Sequence, residues 1–353
     1  MARFDYIDIA KGFGILMVVW AHILIKGWTH QMIYAFHMPL FFLLSGLLFQ
    51  KTKYSSFKVF VIRRAKRLLI PYVIYSVATW ILWAAFRYLR HDEVDSYFMP
   101  LLQTFIAQGS GAYMVHNSAL WFIPCLFLVE IIYFFTCKTG WVWNLILCFA
   151  GAIVSFILGG TYGTDYWFLL PLNADAALIA LPFYYVGNLI GQKVGHVRLM
   201  NFATQSRISS LLVWVIMTVL LYWSSISFGE CSMGSSSYQC SALIFFLRAF
   251  LGCSWMLCAA LLIGSFSKNN VASSLIVRYT KWGGVNSLDI MCLHIPIKGI
   301  CMIVIALCLK VTVDDISTDA GLATFAFVAT MVIIWAIIHF TPVDTLIHKL
   351  HLD

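Results

Sequence analysis

Charge is what this sequence has least of. Asp, Glu, Lys and Arg make up 11% of its 353 residues, while 61% are hydrophobic. A soluble domain carries about 25% charged residues, so a soluble fold, or two of them in tandem, is excluded. Internal repeats and low-complexity linkers are also missing, so residues 1–353 read as one domain. No small-residue cleavage site follows the first apolar run, which is expected to stay on as a helix. Cysteines number ten, but eight lie in or beside apolar stretches, where Cys behaves as a small hydrophobe rather than part of a disulfide framework. No metal-ligand cluster is expected.

What is present is a series of apolar runs. A run of roughly 18 residues with few charges spans a bilayer as a helix. Ten spans are expected: 7–25, 34–49, 68–88, 120–135, 141–158, 176–190, 208–227, 242–266, 287–309 and 322–340. The sixth is weakened by Pro182, Gly187 and Gly191. The fold class is therefore all-α, a polytopic membrane protein whose partner is the lipid bilayer. With both termini cytoplasmic, 16 of the 23 Lys and Arg residues fall on inner segments, among them Arg3, Lys268, Lys349 and the cluster from Lys51 to Arg67. The outer segments instead collect nine acids, including Asp165, Glu230 and Asp315. That is the positive-inside pattern. The net charge of +8 is thus a topology signal, and no basic soluble domain exists to bind nucleic acid. In the outer loop Cys231 and Cys240 form either a small disulfide or two free thiols.

Ionisable residues inside spans are costly and mark function. Here they are Asp8, Lys11, His22, His37, Glu130, Arg248, Asp289, His294, Lys298 and His339. Lys11 and His22 are eleven residues apart, which puts them within about 20° of each other on one helix face and about 16 Å apart along it. Asp8 and Lys11 are an i,i+3 pair able to neutralise one another. A polar stripe that merely joins helices is the plain alternative. His37 lies beside Pro39, which disturbs the helix locally; a helix-packing histidine is its plain alternative. Ser45 and Gly46 make a small-residue notch. Arg64 and Arg67, i,i+3 at an expected helix start, can clamp phosphate or simply face anionic lipid.

Together these stretches resemble the acyltransferase-3 family of membrane acyltransferases. The resemblance is carried by Tyr6-Ile-Asp-Ile-Ala-Lys-Gly-Phe-Gly-Ile-Leu-Met-Val-Val-Trp-Ala-His22, Phe36-His-Met-Pro-Leu-Phe-Phe-Leu-Leu-Ser-Gly46, Arg64-Ala-Lys-Arg67 with Pro71-Tyr72, Leu120-Trp-Phe122 and Ser287-Leu-Asp-Ile-Met-Cys-Leu-His294. The segment Ile-Asp-Ile-Ala-Lys-Gly is similar to the branch called fucose 4-O-acetylase-like. The family carries Arg, ten residues and His on its first span; here Lys11 keeps the charge but lacks the planar fork. Many members continue into a periplasmic hydrolase-like domain. None follows Phe340 here, so the membrane domain is expected to act alone or to hand its acyl group to a partner.

The resemblance implies an O-acyltransferase of the inner (cytoplasmic) membrane that takes an acyl group from acetyl-CoA, or another acyl-CoA such as succinyl-CoA, to a hydroxyl of a glycan. No permanently bound cofactor is implied. Arg64, Arg67 and Lys11 would meet the CoA phosphates, and the pantetheine arm would run along the first helix to His22. His22 would act as general base or as transient acyl acceptor, with His37 as its catalytic neighbour. Asp8, Ser45, Tyr72, Trp121, Glu130 and His294 would support the site or line its tunnel. Other polysaccharide-assembly proteins are further partners this role allows. A secondary transporter using Glu130, Arg248, Asp289 and Lys298, or a scaffold for polysaccharide assembly, are the competing classes.

Overall fold

The computed structural model describes residues 4–109, 113–162, 171–205, 207–234, 237–266 and 271–340. Arg3, Asp165, Lys268 and Lys349 lie outside them. The helices are α1 Asp5–Ile23, α2 Trp28–Tyr34, α3 His37–Leu48, α4 Phe57–Leu89, α5 Met99–Gln103, α6 Phe122–Thr136, α7 Trp141–Tyr162, α8 Ala174–Leu189, α9 His196–Gln205, α10 Arg207–Ser227, α11 Ala242–Phe266, α12 Val271–Val285, α13 Ser287–Leu309, α14 Val313–Thr318 and α15 Ala320–Phe340. The only ladder among the described residues is a two-residue antiparallel pair, Cys231–Ser232 with Ser237–Tyr238, in an outer loop. Nine helical stretches among the described residues are long and apolar enough to cross a bilayer. The chain is an all-α polytopic membrane protein.

Ten spans were expected and nine qualify. The tenth is α7, a helix of 22 residues in which the described apolar stretch is Val142–Ser155. Three expectations are corrected. The second span is broken: α2 and α3 are separate helices joined at Phe36, whose φ of −141° leaves the helical region. Pro39 therefore sits in the first turn of α3, where its missing N–H costs nothing. Next, Arg64 and Arg67 are not at a helix start, because α4 begins a full eleven residues before Leu68 and runs through Pro71 for 33 residues. The Ser56 hydroxyl caps it by accepting from the Val59 amide at 3.3 Å. Finally, α12 was not expected at all. Its Arg278 and Lys281 lower the hydropathy of residues 271–285, yet it packs along the inner half of α1.

Glycine makes that packing close. A Cβ on Gly12 would stand 1.8 Å from the Thr280 carbonyl oxygen, and one on Gly284 1.9 Å from the Asp8 carbonyl oxygen. Helices in lipid gain little from hydrophobic burial and associate through such small-residue contacts. The same device joins α3 to α8, where a Cβ on Gly46 would reach 2.0 Å from the Tyr184 carbonyl oxygen and one on Gly187 2.0 Å from that of Leu43. Pro182 and Gly187 thus lie within the tightly packed α8, and Gly191 in the π-helical turn Ile190–Val194 that follows it. Asn188 on α8 also donates to the Gly46 and Phe49 carbonyls at 3.1 and 2.8 Å, tying the end of α3 to α8; the Gly46 carbonyl accepts from the Phe49 amide as well. Around this core, α10 and α15 turn apolar side chains such as Leu212, Val219, Phe325 and Val332 outward, a surface that lipid covers.

Candidate functional site

Two cavities lie at opposite ends of α1. The inner one, about 330 Å³, is lined by Lys11, Lys53, Arg64, Arg67 and Glu130 at its polar end. Ser45, Phe41, Phe122, Leu126, Leu288 and Met291 make its apolar wall. Four cations against one carboxylate leave it strongly positive. Arg64 is held by Glu130 through both guanidinium and carboxylate. Glu130 is fully buried, and a bidentate arginine is the partner a buried carboxylate needs. Arg64 and Glu130 therefore form a structural strut, and Arg67, with no ion pair within 4 Å among the described residues, is the guanidinium left for an anion. The Tyr184 hydroxyl, buried without a hydrogen-bond partner, lines the same space.

The outer cavity, about 310 Å³, is lined by His22, Tyr34, His37, Trp121 and the loop residues Ser232, Met233 and Gly234. His22 comes from the last turn of α1 and His37 from the first turn of α3. His37 is held by the backbone of its own segment and not by His22. Its Nδ1–H donates to the Ile33 carbonyl at 2.8 Å, leaving Nε2 for the cavity. The Tyr34 hydroxyl lies 3.5 Å from His22 Nδ1. His294 stands behind, its ring 5.1 Å from that of His22. Its Nδ1–H donates to the Met291 carbonyl at 2.8 Å, while its buried Nε2 has no partner. Lys298, one turn further along α13, donates to the His22 carbonyl at 2.5 Å.

An outer lid completes this cavity. His30 donates from Nδ1 to the Ala21 and Leu24 carbonyls at 2.9 and 3.0 Å, closing the end of α1, and presents Nε2 to Glu230 at 3.4 Å. That hydrogen bond holds the Glu230 carboxyl below its ordinary range. The Cys231 and Cys240 sulfurs are 2.8 Å apart. Gly234 packs on the Trp121 ring.

Of the expected residues, Lys11, Ser45, Arg64, Arg67 and Glu130 meet in the inner cavity; His22, His37 and Trp121 meet in the outer one. Tyr72 lines neither. Its hydroxyl donates to the Thr104 carbonyl at 2.6 Å, so it tethers the segment after α5 instead of facing a sugar. Asp8 contributes the backbone against which Gly284 packs. The charges assigned to a transport pathway are dispersed: Arg248 donates to the Gly229 carbonyl and Asp289 accepts from Tyr75. Lys53, Tyr184, Tyr34, His30 and Met291 were not foreseen as site residues, and Lys298 was named only for the transport reading; His30, polar within apolar sequence, carried a signal that could have found it. Among the described residues no group of three His, Cys, Asp or Glu side chains could hold a metal ion.

Neither a curated protein nor a solved structure matches the chain significantly. A family model does: the acyltransferase domain of the acyltransferase-3 family matches residues 4–339, nearly the whole chain. With its two cavities set along α1 and its helices in the bilayer, the chain belongs to that family and is a membrane acyltransferase.

Proposed function

We propose that the protein moves an acyl group, acetyl in the simplest case, from cytoplasmic acyl-CoA to a hydroxyl of a cell-surface or lipid-linked glycan, in the inner (cytoplasmic) membrane. The observation that carries this reading is the pairing of a cationic inner cavity with a histidine-lined outer cavity on one helix. Arg67, Lys11 and Lys53 suit the phosphates of CoA, for which cations at the inner surface are the natural partners. The apolar wall from Phe41 to Met291 suits the pantetheine arm and thioester. His22 Nε2, across the ring from Tyr34, takes the proton of the acceptor hydroxyl as its oxygen attacks the thioester carbonyl. The C–S bond breaks as the C–O ester bond forms. CoA leaves as a thiolate and recovers the proton from His22. His37 Nε2 and Trp121 flank the acceptor.

Purified protein in lipid is incubated with labelled acetyl-CoA and surface glycans, and the glycans are weighed for an acyl increment. Transfer by the wild type and its loss in His22→Ala, with an unchanged melting temperature, is the expected result. Full activity in His22→Ala would remove this histidine from the reaction. Absence of transfer from any acyl-CoA would return the transporter and scaffold readings.

A further inference from the structure

The two cavities share one residue. Met291 on α13 lines both the inner, cationic cavity and the outer, histidine-lined one, and no other described residue does so. Its side chain is 3% exposed. On its inner side stand Phe41 and Phe122, rings 5.9 Å apart, with Leu288 one turn back on the same helix face. On its outer side stand Val18, Met38 and His22.

The helix backbone around Met291 is held by side-chain hydrogen bonds, while its side chain is held by apolar packing alone. Pro296 has no N–H to give the Cys292 carbonyl, its i−4 acceptor. That carbonyl is taken instead by the Asn117 side-chain amide at 2.6 Å. The Ile290 and Met291 carbonyls both accept from His294 Nδ1, at 3.2 and 2.8 Å. Three successive carbonyls thus have side-chain partners, which pins the backbone at residues 290–292. The thioether on it keeps three rotatable bonds and no polar partner to hold it, the most adaptable apolar side chain available at such a point.

We propose that Met291 is the septum between the donor and acceptor cavities, and that its bulk sets the length of acyl group that can reach His22. The proposal rests on the donor reading given above. A two-carbon acyl group passes a methionine that swings aside; each added methylene must find room between Met291, Phe41 and Phe122. A missing or extra methylene in an apolar pocket changes selectivity by about tenfold or more.

Acetyl-, butyryl- and hexanoyl-CoA are compared as donors for the wild type and for Met291→Ala, Met291→Val and Met291→Phe, alongside acetyl-CoA binding by calorimetry. The two smaller residues guard against a single variant failing to fold. Septum action predicts that Met291→Ala or Met291→Val raises the butyryl-to-acetyl transfer ratio by about tenfold. It also predicts that Met291→Phe cuts kcat for acetyl by a similar factor while acetyl-CoA binding is kept. A chain-length profile equal to that of the wild type in the small variants, with transfer intact, overturns the septum and leaves the donor reading standing. Loss of acetyl-CoA binding in Met291→Phe overturns it too, since the residue would then be part of the donor site. Wild-type protein that transfers no acyl group from any acyl-CoA sinks the donor reading, and the septum with it.

Discussion

Arg64 and Arg67 sit one turn apart and look equivalent in sequence, yet they do different work. Arg64 is bound by the buried Glu130, and breaking a buried pair by removing one member costs on the order of 3 kcal/mol or more. Glu130→Ala should therefore lower the melting temperature of the detergent-solubilised protein by several degrees, and a melting curve superimposable on the wild type would refute the strut. Arg67→Ala has no ion pair to break. It should leave the melting temperature alone and raise KM for acyl-CoA about tenfold, the worth of one charge-assisted phosphate contact. An unchanged KM would take Arg67 out of the donor site. The shared face of Lys11 and His22 was legible from helical period alone. The Arg64–Glu130 pairing was not, because 66 residues separate its members and no local pattern links them. Met291 was equally silent: one apolar side chain in an apolar helix carries no mark of its position between two cavities.

At the scale of elements, the readable features were the long apolar helices, and the unreadable ones were short or charged. Residues 28–34 contain Thr29, His30 and Gln31 and read as outer loop, but fold as α2 because His30 takes up the end of α1. Residues 271–285 read as an inner loop for their cations and fold as α12 because Gly12 and Gly284 permit close contact with α1. Hydropathy senses lipid, and neither helix meets lipid on all sides. The outer hairpin likewise is held by polar contacts from residues far along the chain, among them His30, Asn173 and Arg248. Glu230 has its carboxyl held below the ordinary glutamate range by His30. The stability this adds is present above that range and is lost as pH falls through the depressed folded value. Amide exchange over residues 229–234 and 237–240, corrected for intrinsic rate, should be flat from neutral pH down through the ordinary glutamate range and rise below it. Glu230→Gln should show the raised exchange already at neutral pH. Equal protection of mutant and wild type at neutral pH would show that another contact seats the hairpin.

For the molecule as a whole, sidedness follows from which cavity opens where. The cations of the inner cavity lie on the side to which the Lys and Arg residues collect, and the histidines lie on the side of the acids. Sealed vesicles of uniform orientation should transfer acyl groups when acyl-CoA is supplied to the inner face, and not when it is supplied only to the outer face. Equal transfer from both faces would contradict this orientation. The cavities also meet back to back at one methionine thioether, with no polar side chain shared between them among the described residues. Under the proposed function, a membrane whose ion gradients drive the rest of the cell's work can host this protein without a short circuit: the acyl group crosses, while the nucleotide, the water and the protons on either side stay where they are.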